Sequence, residues 1–326
     1  MGRPLIAVTQ GDPAGIGGEV ALKALRSRLG KSRADYLLVG GFDQLAGTAR
    51  KMRIKISLTR WGRLPARPGQ IPVLDLGAPA KVAWGKVSKA SGAAAVRYIE
   101  AAARLALAGE AQALVTAPIN KEAIHLSGSP FPGHTEMLAE ISKTKKFAMM
   151  MVGGPFKITL QSIHLSLRDA VGKVTPAAVL EKLDLTQRAM TGWFGLPKPR
   201  IAVAGLNPHA GEKGAFGQEE IKILKPAIQK ARRKGWNVSG PHPADTLFYW
   251  AAQGRYDAIL CMYHDQGLIP LKLAAFDSGV NMTLGLPFVR TSPDHGTAFD
   301  IAGKGRARPD SMEAALALAE KLAARP

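Results

Sequence analysis

The chain has 326 residues, 46% of them hydrophobic, one cysteine and a formal net charge of +19. That length exceeds one ordinary core, so two domains or one large α/β unit are expected. The lone Cys261 excludes an intrachain disulfide, and no apolar run is long enough to span a bilayer, which together point to a cytoplasmic protein with no membrane partner. The charge invites a nucleic-acid reading, yet aromatics make up only 6% and no zinc-finger spacing, aromatic RNA-binding signature or basic heptad helix accompanies it. The basic excess, densest from Lys31 to Arg67, therefore reads as a solvated surface that also gathers anionic substrates.

In chain order, Pro4–Thr9 reads as a short strand that runs through Gly11-Asp12-Pro13-Ala14-Gly15-Ile16-Gly17 into a helix beginning near Glu19. This is a ligand-facing βα turn, but not a G-x-G-x-x-G fingerprint, because Val20 stands where the third glycine belongs. Strand runs at Tyr36–Val39, Ile71–Leu76 and Ala111–Ala117 follow, with a helix from Ser88 to Ala108 that sets Val96, Ile99, Ala103 and Leu107 on one face. The glycine- and proline-rich cluster Ser127–Gly133 is the expected domain boundary, giving residues 1–128 plus 285–326 and residues 129–284. After it, His134-Thr135-Glu136 heads a helix, where exposed N–H groups favour anions. Thr135 reads equally as an N-cap.

Further strands fall at Phe147–Val152, Lys157–Ile163, Ile201–Ala204 and Ala258–Met262, separated by helices at Pro176–Thr191 and Gln218–Lys234. The alternation predicts an α/β fold of mostly parallel sheet covered on both faces. His164, His209 and His264 each follow closely on a strand run, so the carboxyl ends of neighbouring strands could bring three imidazoles to one Zn²⁺ or Co²⁺. Tyr263–Gly267 reads as a polar loop. Beyond it, Lys272, Asn281 and Arg290 suit an anion clamp, and Asp294-His295-Gly296-Thr297 leading to Asp300, Gly303 and Gly305 suits a nucleotide-contacting loop.

Five motifs in order, Gly11–Gly17, Gly133–Glu136, Asn207–Glu212, Met262–Gly267 and Thr283–Pro287, resemble the 4-hydroxythreonine-4-phosphate dehydrogenases of pyridoxine phosphate biosynthesis. One departure is Gly18, where the family has proline. The resemblance implies two α/β/α lobes around a cleft, as in isocitrate and isopropylmalate dehydrogenases, the first lobe carrying the NAD loop and the second the metal, the substrate residues and a dimer interface. It implies NAD or NADP bound through Asp294, His295, Gly296, Asp300 and Gly303, and a divalent metal (Zn, Co or Mg) on His164, His209 and His264. One of these histidines would come from the partner subunit of a homodimer. The small phosphorylated hydroxy-amino-acid substrate would meet His134, Thr135, Lys272, Asn281 and Arg290. Lys272 or Asp245 would take the hydroxyl proton; Asp245 could equally be a helix cap or a partner for a ligating histidine. A paralogous 4-phospho-D-threonate or 4-phospho-D-erythronate dehydrogenase is the alternative, and a nucleic-acid-binding protein the distant one.

Overall fold

The computed structural model describes residues 2–62 and 69–324; Arg63 and Arg67 of the basic stretch lie outside them. The chain forms two compact units, Met1–Lys145 with Leu286–Pro326, and Lys146–Gly285. Strands in chain order are β1 (Leu5–Thr9), β2 (Asp35–Gly40), β3 (Ser57–Arg60), β4 (Gln70–Asp75), β5 (Ala113–Thr116), β6 (Ala148–Gly153), β7 (Phe156–Leu160), β8 (Ile201–Ala204), β9 (Val238–His242), β10 (Ala258–Cys261), β11 (Val280–Leu284) and β12 (Val289–Pro293).

The first unit orders its strands β3-β4-β2-β1-β5-β12, every pair parallel. Its central strands are continuous apolar runs because helices cover both faces: Ile6, Ala7, Val8, Leu37, Leu38, Leu114 and Val115 are buried. The helix Lys89–Leu107, capped by the Ser88 hydroxyl, packs through Ala95, Tyr98, Ile99, Ala102 and Ala106. Of the face expected, Ile99 and Ala103 are buried and Val96 packs against the core, while Leu107 is exposed. Alanine carries little hydrophobic weight, so pattern reading favoured the larger residues, but small side chains let this helix approach closely. At Gly92 any Cβ would collide with the Ala123 carbonyl of the next helix, Lys121–Leu126.

The second unit orders its strands β11-β6-β7-β10-β8-β9. Strands β7, β10, β8 and β9 are parallel, whereas β6 runs antiparallel to both β11 and β7. The expected polar loop at Tyr263–Gly267 is instead the start of a helix, His264–Ala275, with Tyr263 as N-cap. Gly267 and Pro270 disguise it. Glycine is needed because a Cβ at 267 would lie 2.7 Å from Ile158, so the helix sits tight on β7.

The boundary also differs from expectation. The 127–133 cluster lies inside the first unit, because the helix His134–Ile141 that follows buries Met137 and Leu138 in that unit's core beside Tyr98 and Ile99. His134 and Thr135 thus belong with Arg290, in the first unit. Among the described residues no helix is long and apolar enough to cross a membrane.

Candidate active site

Arg290 lies on β12, buried, in register with Leu114 of β5. Its Nη2 and Nε donate to the Thr116 hydroxyl at 2.7 and 3.2 Å. Burial lowers the guanidinium pKa to about 10, against the opposing charge of Glu136, so it stays cationic at neutral pH. A buried cation aligned by a neutral hydroxyl is suited to a planar, two-pronged grip on an oxyanion. His134 belongs to the same cluster. Burial, then the charges of Arg290 and Lys121, hold its pKa well below the ordinary histidine value, while a hydrogen bond to the Ala117 backbone works against them. The ring is therefore neutral. Its Nε2 is buried and finds no hydrogen-bond partner among the described residues.

Thr135 follows His134 in the first turn; the N-cap is Gly133, with no side-chain cap, so the plain capping role falls away. Thr116 was hidden at the end of an apolar strand, and Asp12 inside a glycine turn. The buried Asp12 accepts the Ala14 N–H at 2.8 Å and a backbone bond from Asn120, stitching two strand-end loops together. Burial raises its pKa.

The three histidines follow β7, β8 and β10, adjacent parallel strands with β10 in the middle. His164 and His264 come together, ring centroids 6.1 Å apart. The Asp265 carboxylate lies 2.7 Å from His264 Nδ1, the kind of contact that holds the Nδ1–H of an imidazole ligating through Nε2. His209 is not brought to them: its ring lies 6.0 Å from Phe216, and no group of three possible ligands closes among the described residues. The donor chemistry thus fits two ligands of a borderline-soft cation within one chain, with the third still to be supplied.

His209 occupies an unusual turn. Residues His209–Lys213 all have positive φ, a left-handed run costing about 1–2 kcal/mol per non-glycine residue. The buried Glu220 carboxylate holds its entrance, accepting the Leu206 and Asn207 N–H groups, both at 2.8 Å, and the Asn207 amide at 3.0 Å. A buried carboxylate thus holds the strained backbone in place.

Asn281 lies on β11 with its Oδ1 buried and without a hydrogen-bond partner among the described residues. Lys272 is half-buried, its Nζ 5.4 Å from the Phe276 ring centroid. Asp245 is exposed in the first turn of the helix Ala244–Ala252 and accepts the Thr246 N–H at 3.0 Å.

The 294–305 loop packs on the β1 turn: the Ile16 N–H donates to the Thr297 carbonyl at 3.0 Å. Lys23 Nζ donates to the carbonyls of Gly305 and Ala307 at 3.0 and 2.7 Å, and pairs with buried Glu19 at 2.6 Å. Asp294 N–H donates to the Ser311 hydroxyl. His295 has Nδ1 3.0 Å from the Gly296 carbonyl and a buried Nε2 with no hydrogen-bond partner among the described residues. Asp300 is exposed, its carbonyl accepting from Lys304 at 2.7 Å. Gly303, at φ +77°, packs on Trp84, and a Cβ would come within 2.5 Å of that ring.

The mostly parallel α/β scaffold is the dehydrogenase-like fold of an oxidoreductase. The family described as Pyridoxal phosphate biosynthetic protein PdxA matches residues 32–319, and the chain belongs to it. It is 45% identical to a 4-hydroxythreonine-4-phosphate dehydrogenase of Caulobacter vibrioides, across 99% of this chain and 98% of that one. It is also 45% identical to a D-threonate 4-phosphate dehydrogenase of Salmonella typhimurium, covering 98% of each. The crystal structure of 4-hydroxythreonine-4-phosphate dehydrogenase from Klebsiella pneumoniae matches at a TM-score of 0.91 and 42% identity, covering 98% of this chain and 99% of that one.

Proposed function

We propose that this chain oxidises 4-phosphohydroxy-L-threonine with NAD or NADP to 2-amino-3-oxo-4-(phosphonooxy)butanoate, which decarboxylates to 3-amino-2-oxopropyl phosphate, in pyridoxal 5'-phosphate biosynthesis. The observation that carries the reading is the Arg290–Thr116–His134 cluster, a buried cation beside a neutral imidazole, in a chain of this family. Bound dinucleotide would supply the hydride acceptor and a divalent cation the Lewis acid. Arg290 would fix a phosphate or carboxylate oxygen, with Thr116 holding the guanidinium plane. His134, neutral, would accept a hydrogen bond at Nε2 and add no charge. Thr135 and Asn281 would complete the polar contacts, and Lys272 or Asp245 would take the hydroxyl proton. Asp294, His295, Gly296, Asp300 and Gly303 would meet the dinucleotide.

His164 and His264 would hold the cation, with a third imidazole from the partner subunit of a homodimer. A dimer is supported by an exposed apolar stripe, Ile269, Leu273 and Phe276, spaced along the helix that His264 opens and its C-cap. Mixing His209→Ala with His264→Ala subunits should restore about a quarter of wild-type activity, since half the dimers are hybrids with one intact site each. No recovery after proven subunit exchange would exclude sites built from two chains.

The deciding assay follows NADH and NADPH formation by metal-reconstituted protein with 4-phosphohydroxy-L-threonine, 4-phospho-D-threonate and 4-phospho-D-erythronate, with and without chelator. Chelator-sensitive turnover favouring the amino acid supports the proposal. Preference for a sugar acid moves the protein to the second reading, raised by the equally similar D-threonate 4-phosphate dehydrogenase.

A further inference from the structure

His209 is exposed in the left-handed turn that follows β8, and the groups that fix its direction lie around the turn. Four non-glycine residues, His209, Ala210, Glu212 and Lys213, have φ between +39° and +55°, a region that L side chains disfavour. Such a backbone relaxes unless it is anchored.

The anchor is a pair of consecutive carboxylates. Asn207 Nδ2 donates to Glu219 at 2.8 Å and to Glu220 at 3.0 Å. Consecutive residues of a regular α-helix do not face each other or one target, but Glu220–Leu224 is a wider π-helical turn, a distortion frequent at functional sites. Glu220 also accepts the Leu206 and Asn207 N–H groups, and its Oε2 occupies the place of a Cβ at Gly211, which would come within 2.5 Å. One buried carboxylate therefore engages the chain on both sides of His209. The base of the turn is fixed as well: buried Gln266 donates to the Gly205 carbonyl at 2.6 Å and accepts the Met262 N–H at 2.7 Å, joining it to the first turn of the helix that His264 opens.

We propose that Glu220 is a positioning residue for His209, setting through Asn207 and Gly211 the direction in which that imidazole is offered to the metal site of the partner subunit. This rests on the shared-site reading above and adds to it a residue that is not itself a ligand.

Glu220→Gln keeps the volume and an oxygen for the two backbone N–H groups, but its amide sets a donor against the Asn207 donor. Asn207 cannot turn over in response without setting its own oxygen against Glu219. Gly211→Ala, which drives a methyl into the same carboxylate, is the second variant. Co²⁺ alone is titrated calorimetrically into each full-length variant, and each is mixed with His209→Ala and with His264→Ala subunits before turnover is assayed. Co²⁺ binding about 10- to 100-fold weaker is expected, in proteins that still melt cooperatively. Mixing with His264→Ala should raise activity toward about a quarter of wild type, since the hybrid then has one site with all its imidazoles correctly held. Mixing with His209→Ala should raise nothing, because every site receives either no third imidazole or a misdirected one. Wild-type Co²⁺ affinity in both folded variants, recovery with both partners, or recovery with neither would overturn the proposal while the His209→Ala and His264→Ala pair recovers. Failure of that control pair after proven subunit exchange would overturn the shared-site reading and this proposal together.

Discussion

The neutral state of His134 makes stability depend on pH in a way that one substitution isolates. Its folded pKa lies well below the ordinary value, while in the unfolded chain it titrates near 6.5. Between those values the unfolded state binds a proton that the folded state refuses, so stability rises with pH and levels off above about 6.5. From pH 7.5 to 5.5 this one group removes at most about 1.4 kcal/mol, the limit RT ln(1 + 10) reached when the folded ring takes up no proton. His134→Gln keeps the polar group and removes the titration. Urea denaturation at 25 °C across pH 5.5–7.5 should show the wild type losing more stability than the variant, by up to about 1.4 kcal/mol. Arg290→Met, which removes the second cause of the shift, should shrink that difference. Equal slopes in wild type and His134→Gln would refute the argument, because they would mean that the folded ring protonates as readily as the unfolded one.

Arg290→Lys, which keeps the charge but not the fork, should lower kcat/KM for the phosphorylated substrate by about 10- to 100-fold in initial-rate assays, the worth of one or two charge-assisted hydrogen bonds. Asp265→Asn, which removes the carboxylate at His264 Nδ1, should weaken Co²⁺ binding about 10- to 100-fold, read by titration with the metal alone. Gly18→Pro, restoring the residue expected from the family in the first turn of the helix Gly17–Arg28, should raise Tm by about 2 °C in a thermal melt. A Cβ at Gly18 meets Leu45 at an ordinary 3.5 Å, and proline there restricts only the unfolded chain.

What the sequence could and could not convey follows from which interactions are local. Strand runs such as Leu5–Thr9 and Ile201–Ala204 were legible because burial on both faces demands uninterrupted apolar residues, and His164, His209 and His264 stood out as polar residues placed just beyond such runs. Strand direction was not legible. Nothing in Ala148–Gly153 distinguishes an antiparallel strand from a parallel one, since pairing direction is a property of the neighbours. The domain boundary failed for a related reason: a glycine–proline cluster reports a local turn, whereas Met137 and Leu138 decide membership by what they bury against. The helix after β10 was masked because Gly267 is a breaker by propensity and a necessity by packing.

At the candidate site, Arg290 was legible as a charge but its orienting partner was not, for Thr116 is separated from it by 174 residues. The same holds for Trp84 under Gly303. Sequence thus named groups that carry charge or could ligate a metal, while the neutral groups that fix their direction appeared only with the fold. Direction is what turns a cation at a strand end into a clamp, so the orienting residues are where substitutions should separate activity from stability. Thr116→Val tests this: it should leave the charge of Arg290 in place and the unit folded, yet lower kcat/KM by about tenfold through loss of the two hydrogen bonds that orient the guanidinium. An unchanged kcat/KM would show that burial alone aims the guanidinium.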